Sequence, residues 1–265
     1  MTFVAIILII GVVVAVGYIL STANDSKEQE QHMSTLSKDI EKVSFTVPYD
    51  STHTIDIVSS YFRGTTAKGA ILLHMMPSTK ESWDEFSKKL YSKGYHVIAI
   101  DERGHGESIV IKDSKGVGTS ISYKDFTEKE QIAKEHDVSG AYSYLIEQGV
   151  RKEEIVIVGA SIGANLTVTF MESHPEISKG VSLSPGIDYH GVHTDTALRN
   201  MSSTQKVYLA ASEGDKYSFE SVNTLTAAHP SKVITKIFEG NEHGTNIFDK
   251  HPEFMDELIY FLEGK

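Results

Sequence analysis

The sequence contains no cysteine. That removes disulfides, thiol nucleophiles, cysteine metal ligands and cysteine-linked lipid in one step, while leaving the compartment open. Positive charge is also scarce. Lys and Arg together number 25 against 36 Asp and Glu, so the formal net charge is −11. A nucleic-acid binder needs a basic face, and electrostatic docking on anionic lipid needs a polybasic one, so neither partner fits. There is no internal repeat and no low-complexity tract. What is present suffices for a core: 40% of the 265 residues are hydrophobic, enough for one large α/β domain or two small ones.

Charge is missing altogether from residues 3–20, an apolar run from Phe3 to Leu20. As a helix this run would be about 27 Å long at 1.5 Å per residue, close to the hydrocarbon thickness of a bilayer. It reads as one N-terminal transmembrane helix, an uncleaved anchor spanning residues 1–23. The competing reading is a signal peptide cut near Ser21-Thr22-Ala23, in which case the protein is secreted. No Lys or Arg precedes the run, and the run is longer than a usual signal core, which favours the anchor. Lys27 and Lys38 are too few to orient it, so the side of the membrane stays open. Residues 24–41 are polar and charged and read as a tether.

From residue 42 the pattern changes to that of a folded domain, 42–265. Val43–Val47 and Thr54–Val58 alternate, as antiparallel edge strands with one wet face do. Gly69–His74, Tyr95–Asp101, Ile155–Gly159, Lys179–Ser184, Lys206–Ala210 and Val233–Phe238 are short apolar runs. Between and after them Glu81–Lys93, Phe126–Gln148, Ala164–Glu172, Tyr217–Ala228 and Pro252–Leu262 carry apolar residues at helical spacing. Strand and helix in alternation predict a mostly parallel central sheet flanked by helices.

One stretch organises the chemistry. Gly159-Ala160-Ser161-Ile162-Gly163 is a G-x-S-x-G that follows a buried strand and opens a helix. The motif alone occurs by chance in many chains; the strand before it and the helix after it make it informative. The turn strains Ser161, the flanking glycines remove side chains that would collide, and the Ile162 N–H at the helix start can face a developing oxyanion.

A serine hydroxyl needs a base, and the base needs an orienting carboxylate. Asp215 follows the strand Lys206–Ala210; Glu213 is its near rival, and a helix-capping role for Asp215 is the structural alternative. Gly214 is expected to make the turn that presents Asp215. The base is His243, in a glycine-flanked loop after the last strand. The second oxyanion donor is expected at the turn His74-Met75-Met76-Pro77, with Met76 as the choice and His74 bracing the loop. The stretch Asp101-Glu-Arg103-Gly-His-Gly-Glu-Ser108 reads as a structural loop held by internal hydrogen bonds.

Taken together, His74-Met-Met, Asp101-x-Arg103-Gly-His-Gly-x-Ser108, Gly159-x-Ser161-x-Gly163, Gly214-Asp215 and His243-Gly244 resemble the α/β-hydrolase superfamily over residues 42–265. The closest likeness is to its dienelactone-hydrolase-like and serine-aminopeptidase-like groups, which include carboxylesterases and acylglycerol lipases. The resemblance implies an α/β-hydrolase fold and a Ser161–Asp215–His243 triad with no metal and no cofactor. Members often carry His-Gly where this chain has His74-Met75. Only about twenty residues separate Ser184 from Lys206, so the cap is expected to be minimal. Met75 and Ile187 are expected to line the acyl side. The expected activity is that of a serine esterase acting on a small-molecule ester or lipid-like substrate through an acyl-enzyme. An acylglycerol lipase, thioesterase or peptidase on the same triad is the enzymatic alternative. A catalytically silent, membrane-tethered interaction module is the non-enzymatic one. Oligomeric state is not legible.

Overall fold

The structure, a computed structural model, describes residues 40–265. The expected anchor (3–20) and nearly all of the tether (24–41) lie outside the described residues. Among those described, no helix is long and apolar enough to cross a membrane.

Among the described residues, ten strands form one sheet. They are β1 (Ile40–Pro48), β2 (Thr54–Phe62), β3 (Gly69–Leu73), β4 (His96–Ile100), β5 (Val110–Lys112), β6 (Gly118–Ser120), β7 (Ile155–Ala160), β8 (Lys179–Leu183), β11 (Lys206–Ser212) and β12 (Val233–Phe238), while β9 (Asp188–Tyr189) and β10 (Val192–His193) pair separately as a small hairpin. The order is β12-β11-β8-β7-β3-β4-β2-β5-β6, with β1 beside β2. From β12 to β4 every pairing is parallel; β2 runs antiparallel to β4 and β5 antiparallel to β2.

The residue pattern explains this division. β3, β4 and β7 are buried along their whole length, as strands covered on both faces must be. β1 alternates because one of its faces is wet. The expectation of two edge strands is half met: β2 alternates like one, yet lies inside the sheet between β4 and β5. The short strands β5 and β6, which follow the Asp101–Ser108 loop, carry too few residues to announce themselves.

Successive residues of a strand face opposite ways. β3 sends Ile71 and Leu73 into a core shared with Val138, Ala141 and Leu145 of the helix Glu135–Glu147. Its neighbours Ala70 and Leu72 are equally buried on the other face. There the helices Asp84–Ser92 and Phe254–Leu262 pack together, with Phe86, Phe248 and Phe254 in ring contact. The helical stretch expected over Phe126–Gln148 is two helices, Glu128–Ile132 and Glu135–Glu147.

The loop after β4 is structural, as its composition suggested. Asp101 accepts from the Lys80 N–H at 2.9 Å, the Lys80 Nζ at 2.8 Å and the Glu107 N–H at 2.9 Å. Arg103, wholly buried, donates to the wholly buried Asp137 from Nη2 at 2.7 Å and Nε at 2.9 Å, and to the Pro48 carbonyl at 3.1 Å. Burial pushes the Asp137 carboxyl up, and the Arg103 charge and hydrogen bonds pull against it. This pair ties the end of β1, the loop after β4 and the helix Glu135–Glu147. Losing one member strands the other as an uncompensated buried charge. Asp137→Asn is therefore expected to destabilise the domain by about 3–5 kcal/mol in urea unfolding, and Arg103→Met with Asp137→Leu to recover most of that loss.

Candidate active site

Ser161 stands between β7 and the helix Ile162–Ser173, at φ 55° and ψ −118°. A non-glycine residue at positive φ is strained, and here the surroundings enforce it. Its N–H donates to the Leu183 carbonyl at 2.8 Å, and its carbonyl receives the Ala164 and Asn165 N–H groups as the helix begins. The glycines are needed for space. A Cβ on Gly159 would lie 2.0 Å from the Gly163 carbonyl oxygen, and one on Gly163 would lie 2.5 Å from the Leu73 carbonyl oxygen. The helix start is thus pressed onto the ends of β7 and β3.

That closeness brings the His74–Pro77 turn beside the helix start. His74 is buried, and burial first of all drops its pKa to about 4, so the ring is neutral. Its Nε2 accepts the Glu102 N–H at 3.1 Å, so the proton is on Nδ1, which donates to the Met75 carbonyl at 3.0 Å. The Ser78 N–H donates to the same carbonyl at 2.8 Å. With the Met75 carbonyl held this way, the Met76 N–H is left for another acceptor. Among the described residues neither it nor the Ile162 N–H, an orphan of the first helical turn, finds one.

Across the sheet edge, His243 Nδ1 meets Asp215 Oδ2 at 2.7 Å. Asp215 precedes the helix Lys216–Ala228 without capping it by its side chain, and the rival Glu213 is exposed. Burial alone would raise the Asp215 carboxyl. The His243 hydrogen bond and charge, with hydrogen bonds from Ser184 and Ser218, outweigh burial and hold it below its ordinary value. Gly214 lies in the turn expected of it, in which the Asp215 N–H donates to the Ser212 carbonyl at 3.1 Å, and it has a second purpose. Its backbone has no positive φ; its N–H donates to the Gly240 carbonyl at 2.7 Å, and a Cβ would lie 2.6 Å from that oxygen. The glycine lets the Asp215 loop and the His243 loop touch.

The remaining expected residues are nearby. Met75 Sδ lies where a Cβ on Gly244 would come within 2.6 Å, and 4.0 Å from Thr245 Oγ1. Met75 also borders a cavity of about 500 Å³ with Ser78, Phe86, Thr245 and Phe248. Ile187 is half-buried in the segment after β8, where its N–H donates to Ser221 Oγ at 3.1 Å.

Three residues escaped the sequence reading. Ser184, at φ 52°, accepts the Gly244 N–H on Oγ at 2.9 Å and hydrogen-bonds Asp215. Ser218 donates to the Ser184 carbonyl at 3.2 Å and hydrogen-bonds Asp215. Tyr189, in the β9–β10 hairpin, has its hydroxyl 3.0 Å from Ser218 Oγ. Ser184 at a strand end before Pro185, and Ser218 one helical turn past Asp215, carried a weak positional signal. Tyr189 carried none. The expected short cover is this hairpin plus the helix Thr194–Asn200.

With an imidazole held by a carboxylate, a strained hydroxyl and two N–H groups left without an acceptor, the arrangement suits nucleophilic acyl chemistry. Residues 71–211 match the model of the family described as the alpha/beta hydrolase fold. A stretch of 112 residues, 42% of this chain, is 33% identical to epoxide hydrolase B of Mycobacterium tuberculosis, and it spans only 26% of that relative's length. Among solved structures, an esterase of Pyrococcus furiosus superposes with a TM-score of 0.65 at 18% identity, covering 84% of this chain and 92% of that one. An acylaminoacyl peptidase of Pyrococcus horikoshii superposes with a TM-score of 0.63 at 15% identity, covering 85% of this chain and 41% of that one. The family match takes in more than half of the chain, running from within β3 through the strained turn into β11, and the chain belongs to the alpha/beta hydrolase fold family.

Proposed function

We propose that the protein is a serine hydrolase that cleaves carboxylic esters. Ser161 attacks the acyl carbonyl, His243 takes the serine proton and passes it to the leaving alcohol, and Asp215 orients the imidazole and stabilises its charged form. The Ile162 and Met76 N–H groups receive the oxyanion. Water then attacks the acyl-enzyme, gives a proton to His243 and releases the acid. What supports the reading most is the 2.7 Å contact between His243 and Asp215. It closes at the edge of the sheet where Ser161 is held at positive φ. The name of the P. furiosus relative, an esterase, points the same way. Labelling of the full chain with a fluorophosphonate is expected, and expected to vanish in Ser161→Ala and His243→Ala. Asp215→Asn is expected to lower kcat/KM for p-nitrophenyl butyrate by at least about a thousandfold. Undiminished labelling of Ser161→Ala would overturn the assignment.

Met75 and Ile187 line the acyl side in this reading. Met75 stands between the His243 loop and the neighbouring cavity, so Met75→Gly opens a path between them. Across p-nitrophenyl esters, kcat/KM for the octanoyl ester relative to the acetyl ester is expected to rise by about tenfold or more in that variant, the scale of a few methylenes moved from water onto Phe86 and Phe248 of that cavity. An unchanged chain-length profile would place the acyl group elsewhere.

We propose further that residues 3–20 anchor the protein in a membrane, which the uncharged run itself supports. Full-length protein is expected to stay with the membrane pellet through carbonate washing, and a form lacking residues 1–23 to leave it. Release of the full-length protein by the wash would refute the anchor.

A further inference from the structure

A neutral imidazole has two tautomers, and only one of them suits the turn after β3. His74 Nδ1 donates to the Met75 carbonyl at 3.0 Å because its other nitrogen, Nε2, accepts the Glu102 N–H at 3.1 Å. The Met75 carbonyl and the Met76 N–H belong to one planar peptide, so they point in opposite directions. Holding the carbonyl on His74 therefore turns the N–H the other way, toward an incoming acceptor. In the other tautomer Nδ1 would itself be an acceptor and would repel that carbonyl. Whatever fixes the Glu102 N–H thus fixes the direction of the Met76 N–H.

Glu102 is held through its side chain. Its Oε2 lies 2.9 Å from Lys134 Nζ, and both side chains are wholly buried. Beyond this contact, neither the ammonium nor the carboxylate has a protein hydrogen-bond partner among the described residues. A buried ion pair with so little support does not stabilise a fold more than apolar side chains of the same volume would. Its place in the fold gives it another use. Lys134 stands just before the helix Glu135–Glu147, and Asp137 lies one turn further on. The adjacent loop residues pair with them in the same order, Glu102 with Lys134 and Arg103 with Asp137 at 2.7 Å. The Arg103 N–H also donates to Asp137 Oδ2 at 2.9 Å. A slip of the loop along the helix would bring Arg103 to Lys134, like charge against like, whereas apolar side chains would tolerate it. The alternating charges therefore set the register of the loop, and with it the position of the Glu102 N–H. Burial first, and then the Lys134 charge, keeps the His74 ring neutral, as either tautomer requires.

We propose that Lys134 and Glu102 are positioning residues of the active site. Their buried pair keeps the Glu102 N–H on His74 Nε2, which selects the ring tautomer and stops the Met75–Met76 peptide from flipping. The inference rests on the serine-hydrolase reading above, in which the Met76 N–H receives the oxyanion. A flipped peptide would present its carbonyl to that oxyanion in place of a donor. Acylation and deacylation both pass through an oxyanion on the acyl carbon. Loss of the pair therefore slows both halves of the reaction together, and KM, which depends on their ratio, stays where it is.

The full chain carrying Glu102→Met together with Lys134→Met tests this. Exchange of the buried pair for apolar side chains is expected to leave the melting temperature at or above that of the wild type. For p-nitrophenyl butyrate, kcat is expected to fall by about 10- to 100-fold with KM within about twofold. That is less than the removal of an oxyanion donor outright, since the peptide still visits the productive orientation. The isosteric Glu102→Gln is the second variant, and its kcat is expected to fall in the same way. Nitrogen NMR of the histidine rings, with His74 assigned by its loss in His74→Asn, reads the tautomer directly. The wild type is expected to carry the His74 proton on Nδ1, and both variants to show a mixture. A tautomer that stays on Nδ1 in the variants would overturn the proposal, because a merely structural pair leaves the ring as it is. A kcat within about twofold of wild type would overturn it as well. Ser161→Ala run alongside separates the two levels: if it still hydrolyses the ester, the serine-hydrolase reading has failed, while the tautomer measurement still judges the hold on His74.

Discussion

The close approach of one helix start to two strand ends is the constraint on which the site depends. Gly163 sits against the Leu73 and His74 carbonyls, and Gly159 against the Gly163 carbonyl, at separations that leave no room for a methyl group. Because the chain must climb from β7 into the helix within that space, Ser161 is driven to positive φ. The same contact fixes what lies beside the serine. β3 ends where the helix begins, so the His74–Pro77 turn and the first helical N–H groups face one small region. A single packing demand thereby aligns groups that are more than eighty residues apart in the chain.

The turn keeps its shape through a neutral histidine. Burial holds His74 uncharged, and its two ring nitrogens are both occupied, one by Glu102 and one by the Met75 carbonyl. A protonated ring could not accept the Glu102 N–H. Low local polarity is therefore part of how the turn is held. On the opposite side of the site the carboxylate is held in a polar environment. Ser184 links the His243 loop to Asp215 by accepting the Gly244 N–H and bonding the carboxylate, and Ser218 adds a second bond to it. Two ionisable groups are thus shifted by opposite means: burial keeps His74 uncharged, and hydrogen bonds keep Asp215 charged. Neither is left as an unpaired charge in the interior.

Much of this was legible in the residues. The apolar runs Ile155–Gly159 and Gly69–Leu73 could only be strands covered on both faces, because nothing in them tolerates water. The strand-turn-helix context of Ser161 followed from a hydrophobic period that changes at a pair of glycines. Asp215 and His243 were readable because each follows a strand in a parallel sheet, and loops at that edge converge. What was misread has physical reasons too. β2 alternates as an edge strand does, yet it is paired on both sides, since alternation reports a wet face and says nothing of edges. Gly214 does lie in the turn before Asp215, but the sequence could not show its second role, because the space it leaves for Gly240 is a contact between two loops that are apart in sequence.

The sequence by itself determined the class of the fold and the identity of the strained serine, because both rest on local patterns: the burial period of each segment and the lack of side chains around one turn. It also determined which charges are scarce, and so which partners are excluded. Only the tertiary structure decided which groups meet. Tyr189 lies on a two-residue strand with no period of its own, and it reaches Ser218 only because Tyr217 and Asn165 clamp its hairpin from two other helices. Contacts of that kind depend on the directions in which distant elements present their side chains, which no local pattern encodes.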